Sequence, residues 1–277
     1  MRRQRARFPD RDHGGSLCRR HRHGIGHSEA TLKPPRTIFT TSWDDGHPLD
    51  ARLADVLSLL GFRGTFYVPV SNREGLPVMP PAELRRLDQV FEIGSHTIDH
   101  CYLSSVGTGE ALRQVGGGKD QIEQILGHEV SGFSYPGGHH TAEHRHMVIQ
   151  CGFEYARTTS TFRRTPPVDP FVMATTIQYY PHPRDMYVRQ FISRGAWRER
   201  TGLFRVAMMP GDLMSRLRRM LDHVCLLGGV FHLWGHSQEL DRFNGWRQLD
   251  SFLRYAAERV PAEDRLSNGE VLQHVAV

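Results

Sequence analysis

The sequence predicts one α/β domain built as a distorted (β/α)7-like barrel. Short apolar runs of strand type alternate with stretches of helical periodicity, about seven such units follow one another, and no break in composition divides them after Pro35. Strands separated by helices pair in parallel, with the helices as crossovers. The chain has 277 residues, 39% hydrophobic and 23% charged, which supports a full core and excludes disorder throughout.

Ordered sequence begins after Lys33-Pro34-Pro35, and Thr37–Thr41 reads as the first strand, closed by the turn residues Asp44-Asp45-Gly46. Leu49, Leu53, Val56, Leu57 and Leu60 then recur at helical spacing until Gly61. Strands are predicted at 65–70 and 90–93. A helix over 110–126 is expected to break or kink at Gly116-Gly117-Gly118, each glycine costing about 1 kcal/mol. A strand near 133–135, a helix near 143–151, and strands near 154–158 and 172–177 follow. The chain closes with a helix over 212–227, a strand over 230–234 and a helix over 246–259. The loops 70–81 and 159–170 are placed to shape a cleft.

Several function classes drop out. The most apolar segment, Val224 to Trp234, is broken by Gly228, Gly229 and His232 and is too short to span a membrane. Cys18, Cys101, Cys151 and Cys225 form no CxxC pair, against a zinc knuckle or a disulfide framework. Residues 1–30 carry eight arginines against three acids, which accounts for the whole net charge of +5. Residues 1–35 therefore read as a disordered basic tail before a single folded domain at 36–277, with no specific nucleic-acid partner. No apolar stretch of signal-peptide length follows the basic start, so a cytoplasmic location is expected. Nothing in the pattern sets an oligomeric state.

In barrel-like α/β folds the chemistry gathers at the carboxyl ends of strands, and three polar clusters lie there. Asp44-Asp45, after the first strand, alternate in direction and suit two different tasks, although Asp-Asp-Gly is also an ordinary turn. His96 and His100, at i and i+4, fall on one face of a helical turn and can share a metal ion. A carboxylate from the first cluster completes a three-ligand set with room for water. On the last strand, His232 and His236 point the same way but stand roughly 13 Å apart, so only one serves the site. His236, nearer the carboxyl end, is preferred, with His232 in the barrel interior.

Taken in order, Thr41-Ser42-Trp43-Asp44-Asp45-Gly46, Ser95-His96-Thr97-Ile98-Asp99-His100 and Phe133-Ser134-Tyr135-Pro136-Gly137-Gly138 resemble the first three motifs of the polysaccharide deacetylase family, carbohydrate esterase family 4, with its NodB-homology domain. The likeness runs from about Arg36 to Arg259. It implies a divalent metal, zinc first and cobalt or nickel as alternatives, on Asp45, His96 and His100. It also implies Asp44 as general base, His236 as general acid, and Tyr135 and Gly137 in the oxyanion and substrate region, with a backbone N–H at or next to Gly137 as donor. Two departures stand out: Ser134 replaces the arginine that opens the third motif, and no Asp-x-x-x-Trp is present for the fourth. Arg157 is the candidate replacement charge, the alternative being a surface arginine. The implied activity is removal of an N-acyl group from an amino sugar or related glycan. Hydrolysis of small cyclic or linear amides, or an inactive carbohydrate-binding relative, are the alternatives.

Overall fold

In the computed structural model, residues 35–166 and 168–275 are described. The basic tail lies outside the described residues except for Pro35. The elements are β1 (Thr37–Asp44), α1 (Asp50–Leu59), β2 (Thr65–Val68), α2 (Pro81–Asp88), β3 (Glu92–Ser95), α3 (Thr108–Leu126), β4 (Gly132–Ser134), α4 (Ala142–Gln150), β5 (Tyr155–Arg157), β6 (Ile177–Gln178), α5 (Arg184–Ser193), α6 (Trp197–Ala207), α7 (Leu213–Leu227), β7 (Gly229–Gly235), α8 (Ser237–Arg242), α9 (Trp246–Ala257), β8 (Arg265–Leu266) and α10 (Asn268–Val275).

Every strand pair is parallel, in the order β5-β4-β3-β2-β1-β7-β6, with β8 added beside the amino-terminal half of β1. All eight residues of β1 are buried, as expected of a strand covered on both faces. Phe39 on β1 meets Phe62, Phe231 and Phe252 at ring distances of 4.9, 5.4 and 6.3 Å, fixing β1 and β7 against α9. The sheet curls until Met173 pairs with Arg157 at one edge, while Ile177 and Gln178 pair with Leu233 and Trp234 at the other. This is the distorted barrel the sequence predicts. Among the described residues no helix is long and apolar enough to cross a membrane.

Some local expectations fail, for identifiable reasons. The strand expected at 90–93 lies at 92–95, because Val90 is exposed and the buried alternation begins later. The run expected as a strand over 172–177 is a 3-10 turn at 170–172 followed by a two-residue strand. Helices α2, α5, α6, α8 and α10 went unread. Most instructive is α3, which runs unbroken through its three glycines. A Cβ on Gly118 would lie 2.7 Å from the Thr97 carbonyl carbon and 3.0 Å from Ser95 Oγ, and one on Gly117 2.8 Å from Ile98 Cδ1. The glycines let the helix press against the turn that carries His96 and His100, and this packing outweighs their low helix propensity.

Candidate active site

The parallel register aligns the carboxyl ends of β1, β2, β3, β4, β5 and β7 around one cavity of about 450 Å³. Asp44 ends β1. Asp45 follows with φ of 80°, a left-handed residue that breaks strand alternation, and both carboxylates line the cavity. Opposite sides of a strand are thus not what separates their tasks; their partners are.

His96 and His100 converge as well, though not on a helical turn. Residues 97–99 form a tight turn, with Thr97 at φ 70° and His100 at φ 60°. The turn is held by Thr97 Oγ1, which accepts from Cys101 N at 2.9 Å, and by Gln114 Oε1 on α3, which accepts from Ile98 N at 3.1 Å and Asp99 N at 3.3 Å. His96 Nδ1 donates to the Ser134 carbonyl at 2.7 Å, since a carbonyl can only accept. That leaves the Nε2 lone pair free, 3.8 Å from Asp45 Oδ1, while His100 Nε2 lies 3.4 Å from the same oxygen.

The three ligand atoms lie within 4.8 Å of one another. Two ligands at about 2.1 Å from a tetrahedral zinc stand about 3.4 Å apart, so the donor set fits a divalent ion. Asp45 Oδ1 is buried with no hydrogen-bond partner, as an atom reserved for a cation would be. The other oxygen, Oδ2, accepts from Gln238 Nε2 at 2.8 Å, which orients the carboxylate. Glu74 Oε1, from the 70–81 loop, approaches His100 Nδ1 at 3.4 Å.

Asp44 has a different partner. Arg157 on β5 is fully buried and ion-paired to Asp44 Oδ1, with its guanidinium 5.1 Å from the rings of both Tyr67 and Trp234. It is no surface arginine. Ser134, where the family places its arginine, sits on β4 directly opposite Arg157 on β5, so the neighbouring strand brings a guanidinium to the base. Burial alone would raise the Asp44 pKa, but Arg157 first, then His96 and His236, outweigh it and hold the carboxyl below its usual range.

His236, just after β7, lines the cavity, and its Nδ1 lies 3.0 Å from Glu239 Oε2 on α8. Burial pulls its pKa down, yet Glu239, Asp45 and Asp44 together raise it to about 9. His232 lies outside this cavity, buried, with Nε2 2.8 Å from Ser42 Oγ and a pKa that burial and Arg157 lower to about 3.

The third motif needs a correction. The Tyr135 side chain does not line the cavity: its ring packs on Phe133 and His140, and its hydroxyl donates to Phe171 O at 3.3 Å. Its backbone N–H is engaged too, donating to Arg157 O at 3.1 Å, and Gly138 N donates to Tyr135 O at 2.7 Å. Gly137 does line the cavity, at φ 63°, where a Cβ would lie 2.5 Å from Tyr102 Cε1. Its N–H is the amide of this turn left without a backbone partner among the described residues.

The polysaccharide deacetylase family model matches residues 32–156, the stretch that holds all three motifs. This is a likeness over just under half of the chain, and it covers the stretch that carries Asp44, Asp45, His96, His100 and Gly137. Peptidoglycan-N-acetylmuramic acid deacetylase PdaC of Bacillus subtilis is 32% identical over 103 residues, 36% of this chain, which spans about one fifth (21%) of that relative's length. Among solved structures, a candidate polysaccharide deacetylase from Mycobacterium smegmatis aligns with a TM-score of 0.61 at 15% identity, over 88% of this chain and 91% of that one. The chitin deacetylase of Colletotrichum lindemuthianum aligns with a TM-score of 0.55 at 15% identity, over 86% and 88%. At such identities the two structures bear on the fold. Sequence reading missed Glu74, Gln178, Arg194, Gln238 and Glu239, which also line this cavity. Of these, Glu239 alone had a local signal, its i,i+3 spacing from His236.

Proposed function

We propose that the chain is a metal-dependent deacetylase that removes an N-acyl group from an amino sugar. One observation carries the reading: a single cavity gathers a fitting Asp-His-His ligand set with an arginine-paired carboxylate and a glutamate-paired histidine. Asp45, His96 and His100 would hold a divalent metal, which when bound would supply Lewis acidity to the acyl carbonyl and lower the pKa of water. Asp44, kept ionised by Arg157, takes the proton of the attacking water. The Gly137 N–H donates to the oxyanion that develops on the carbonyl oxygen. His236, protonated up to about pH 9, gives its proton to the amine nitrogen as the C–N bond breaks, releasing carboxylate and free amine.

The test is acetate release from N-acetylated amino sugars and their oligomers, beside ring opening of cyclic amides. Acetate release that is lost on chelation and restored by zinc, cobalt or nickel is the expected result. Ring opening with no acetate from any sugar would replace this reading with small-amide hydrolysis.

A further inference from the structure

We infer that Arg194 forms an anion-binding subsite beside the reacting group, so that the favoured amino sugar carries a carboxylate or phosphate substituent. The inference rests on the amino-sugar reading above and names its substrate class. Arg194, which follows α5, lines the catalytic cavity and also a second cavity of about 450 Å³ that includes His140, Thr158 and Ser160. Arg194 is the one residue shared by the linings of these two cavities.

The charges around the second cavity cancel except for this one. Arg163 pairs with Glu199, and Asp169 pairs with Arg145 at 2.8 Å. Burial lowers the pKa of His140, which leaves it neutral. In the catalytic cavity Asp44 is matched by Arg157 and Glu239 by His236. Arg194 is half-buried, and its only side-chain and backbone acceptors are Gly138 O at 3.2 Å and Thr159 Oγ1 at 3.1 Å, with no carboxylate among the described residues.

Arg200 is the useful contrast. It also lacks a carboxylate, but it is fully buried, lines neither cavity and donates to four carbonyls, those of Thr161, Gln190, Phe191 and Gly195. That is how an arginine looks when its task is to tie backbone together. Arg194 commits two of its five N–H groups and leaves three without an acceptor among the described residues. A half-buried guanidinium without a counter-ion is costly, and its planar fork matches a carboxylate or a phosphate.

Its position says where the anion lies relative to the chemistry. Thr159 Oγ1, which accepts from Arg194, itself donates to Gly137 O at 3.1 Å. The guanidinium is therefore one hydrogen-bonded side chain from the glycine assigned to the oxyanion, and the anionic substituent belongs on the reacting sugar or at its linkage. Arg242 also lines the catalytic cavity but is exposed, where water solvates and screens it.

The experiment is calorimetric binding, at one ionic strength, of N-acetylglucosamine, N-acetylglucosamine 1-phosphate and N-acetylmuramic acid to the full chain. Wild type is expected to bind at least one charged sugar about tenfold or more tighter than the neutral one. The tighter of the two identifies phosphate or carboxylate. Arg194→Gln should abolish the preference and keep affinity for the neutral sugar, whereas Arg242→Gln should keep the preference. Should Arg194→Gln not fold, Arg194→Lys, which keeps the charge and loses the fork, should weaken the preference about threefold or more. Equal affinity for all three sugars in wild type, or a preference unchanged in the Arg194 variants, would overturn the inference. Absence of acetate release from these sugars and their oligomers would overturn the deacetylase reading while leaving the binding preference to be judged by itself.

Discussion

The two ends of the barrel hold cavities of similar size and opposite character. The one at the amino ends of the strands is the larger, about 550 Å³ against about 450 Å³, and is lined by Glu92, Tyr155 and Ser267 among others. Its polar groups are satisfied. Glu92 accepts from Thr65 Oγ1 at 2.6 Å, Tyr155 OH at 2.8 Å and Gly269 N at 3.0 Å, and Asn268 joins Thr40 to Tyr67 through two bonds of 2.9 Å. At the carboxyl ends, Asp45 Oδ1, His100 Nδ1, Gln238 Oε1, two Arg157 nitrogens and both Asp50 oxygens are buried without a hydrogen-bond partner. Unsatisfied buried polar groups are rare in folded proteins and call for a ligand or a reaction to explain them. Volume does not separate the two ends; unused hydrogen-bonding and ligating capacity does.

The largest effect that would sharpen this contrast is on turnover at the carboxyl end. Asp44→Asn should lower the rate by about 10² to 10⁴-fold while metal binding stays, because an amide cannot accept the water's proton. Asp45→Asn should lose metal first, as elemental analysis after chelation would record. Equal metal loss in both variants would erase the division of labour between the adjacent acids.

The pH profile comes next. The proposed reaction needs Asp44 ionised and His236 protonated, so the rate should rise at low pH around a carboxyl below its ordinary 3.8 and fall as pH passes about 9. His236→Gln should remove the alkaline limb and lower the plateau. The folded pKa of His236 lies above its ordinary 6.5, so the stability it contributes is complete below 6.5 and lost as pH rises through about 9. Asp44 runs the other way: its contribution is present above 3.8 and lost as pH falls through the lower folded value.

Substitutions in the satisfied regions should act on stability instead. Glu92→Gln is expected to cost about 1 to 3 kcal/mol through weakened charge-assisted bonds, and His232→Ala a similar amount by orphaning Ser42 Oγ. Both should keep turnover per folded molecule, measured by chemical denaturation beside active-site titration. Loss of turnover in a stable Glu92 variant would break the contrast between the ends.

The smallest effects separate two glycines of α3. Gly118→Ala should destabilise by about 1 to 3 kcal/mol and weaken metal binding, since its Cβ would collide with the Thr97 backbone. Gly116→Ala meets only Cys151 Sγ, at 3.4 Å, and should be neutral or stabilising by up to about 1 kcal/mol. Melting temperatures of the pair decide it.

Much of this protein was legible before folding because the informative signals are local. The strand and helix alternation gave the barrel, since periodicity reports which face of a segment is buried. Asp44, Asp45, His96, His100 and His236 stood out because each lies within a few residues of a predicted strand end. The unbroken course of α3 was not legible: its three glycines read as a fault until Thr97 and Ser95 are seen against them. Tyr135 was misread because its neighbour Gly137 reaches the cavity while its own ring turns inward toward Phe171.

What tertiary structure alone decided are the pairings between distant segments. Arg157 meets Asp44 across 113 residues, Gln238 meets Asp45 across 193, and Arg194 braces the Gly137-Gly138 turn from 56 residues beyond it. No periodicity or motif encodes such contacts. A parallel sheet brings successive strand ends side by side, and only the register between strands, one residue of which moves every side chain to the other face, settles which charge stands against which. The sequence by itself determined the barrel and the residues able to bind a metal and move protons. The packed fold decided that Arg157 stands against Asp44 and lowers its pKa, that Glu239 stands against His236 and raises its pKa, and that Arg194 has no carboxylate partner among the described residues, because charge states depend on burial and on partners that the chain brings together only when it closes.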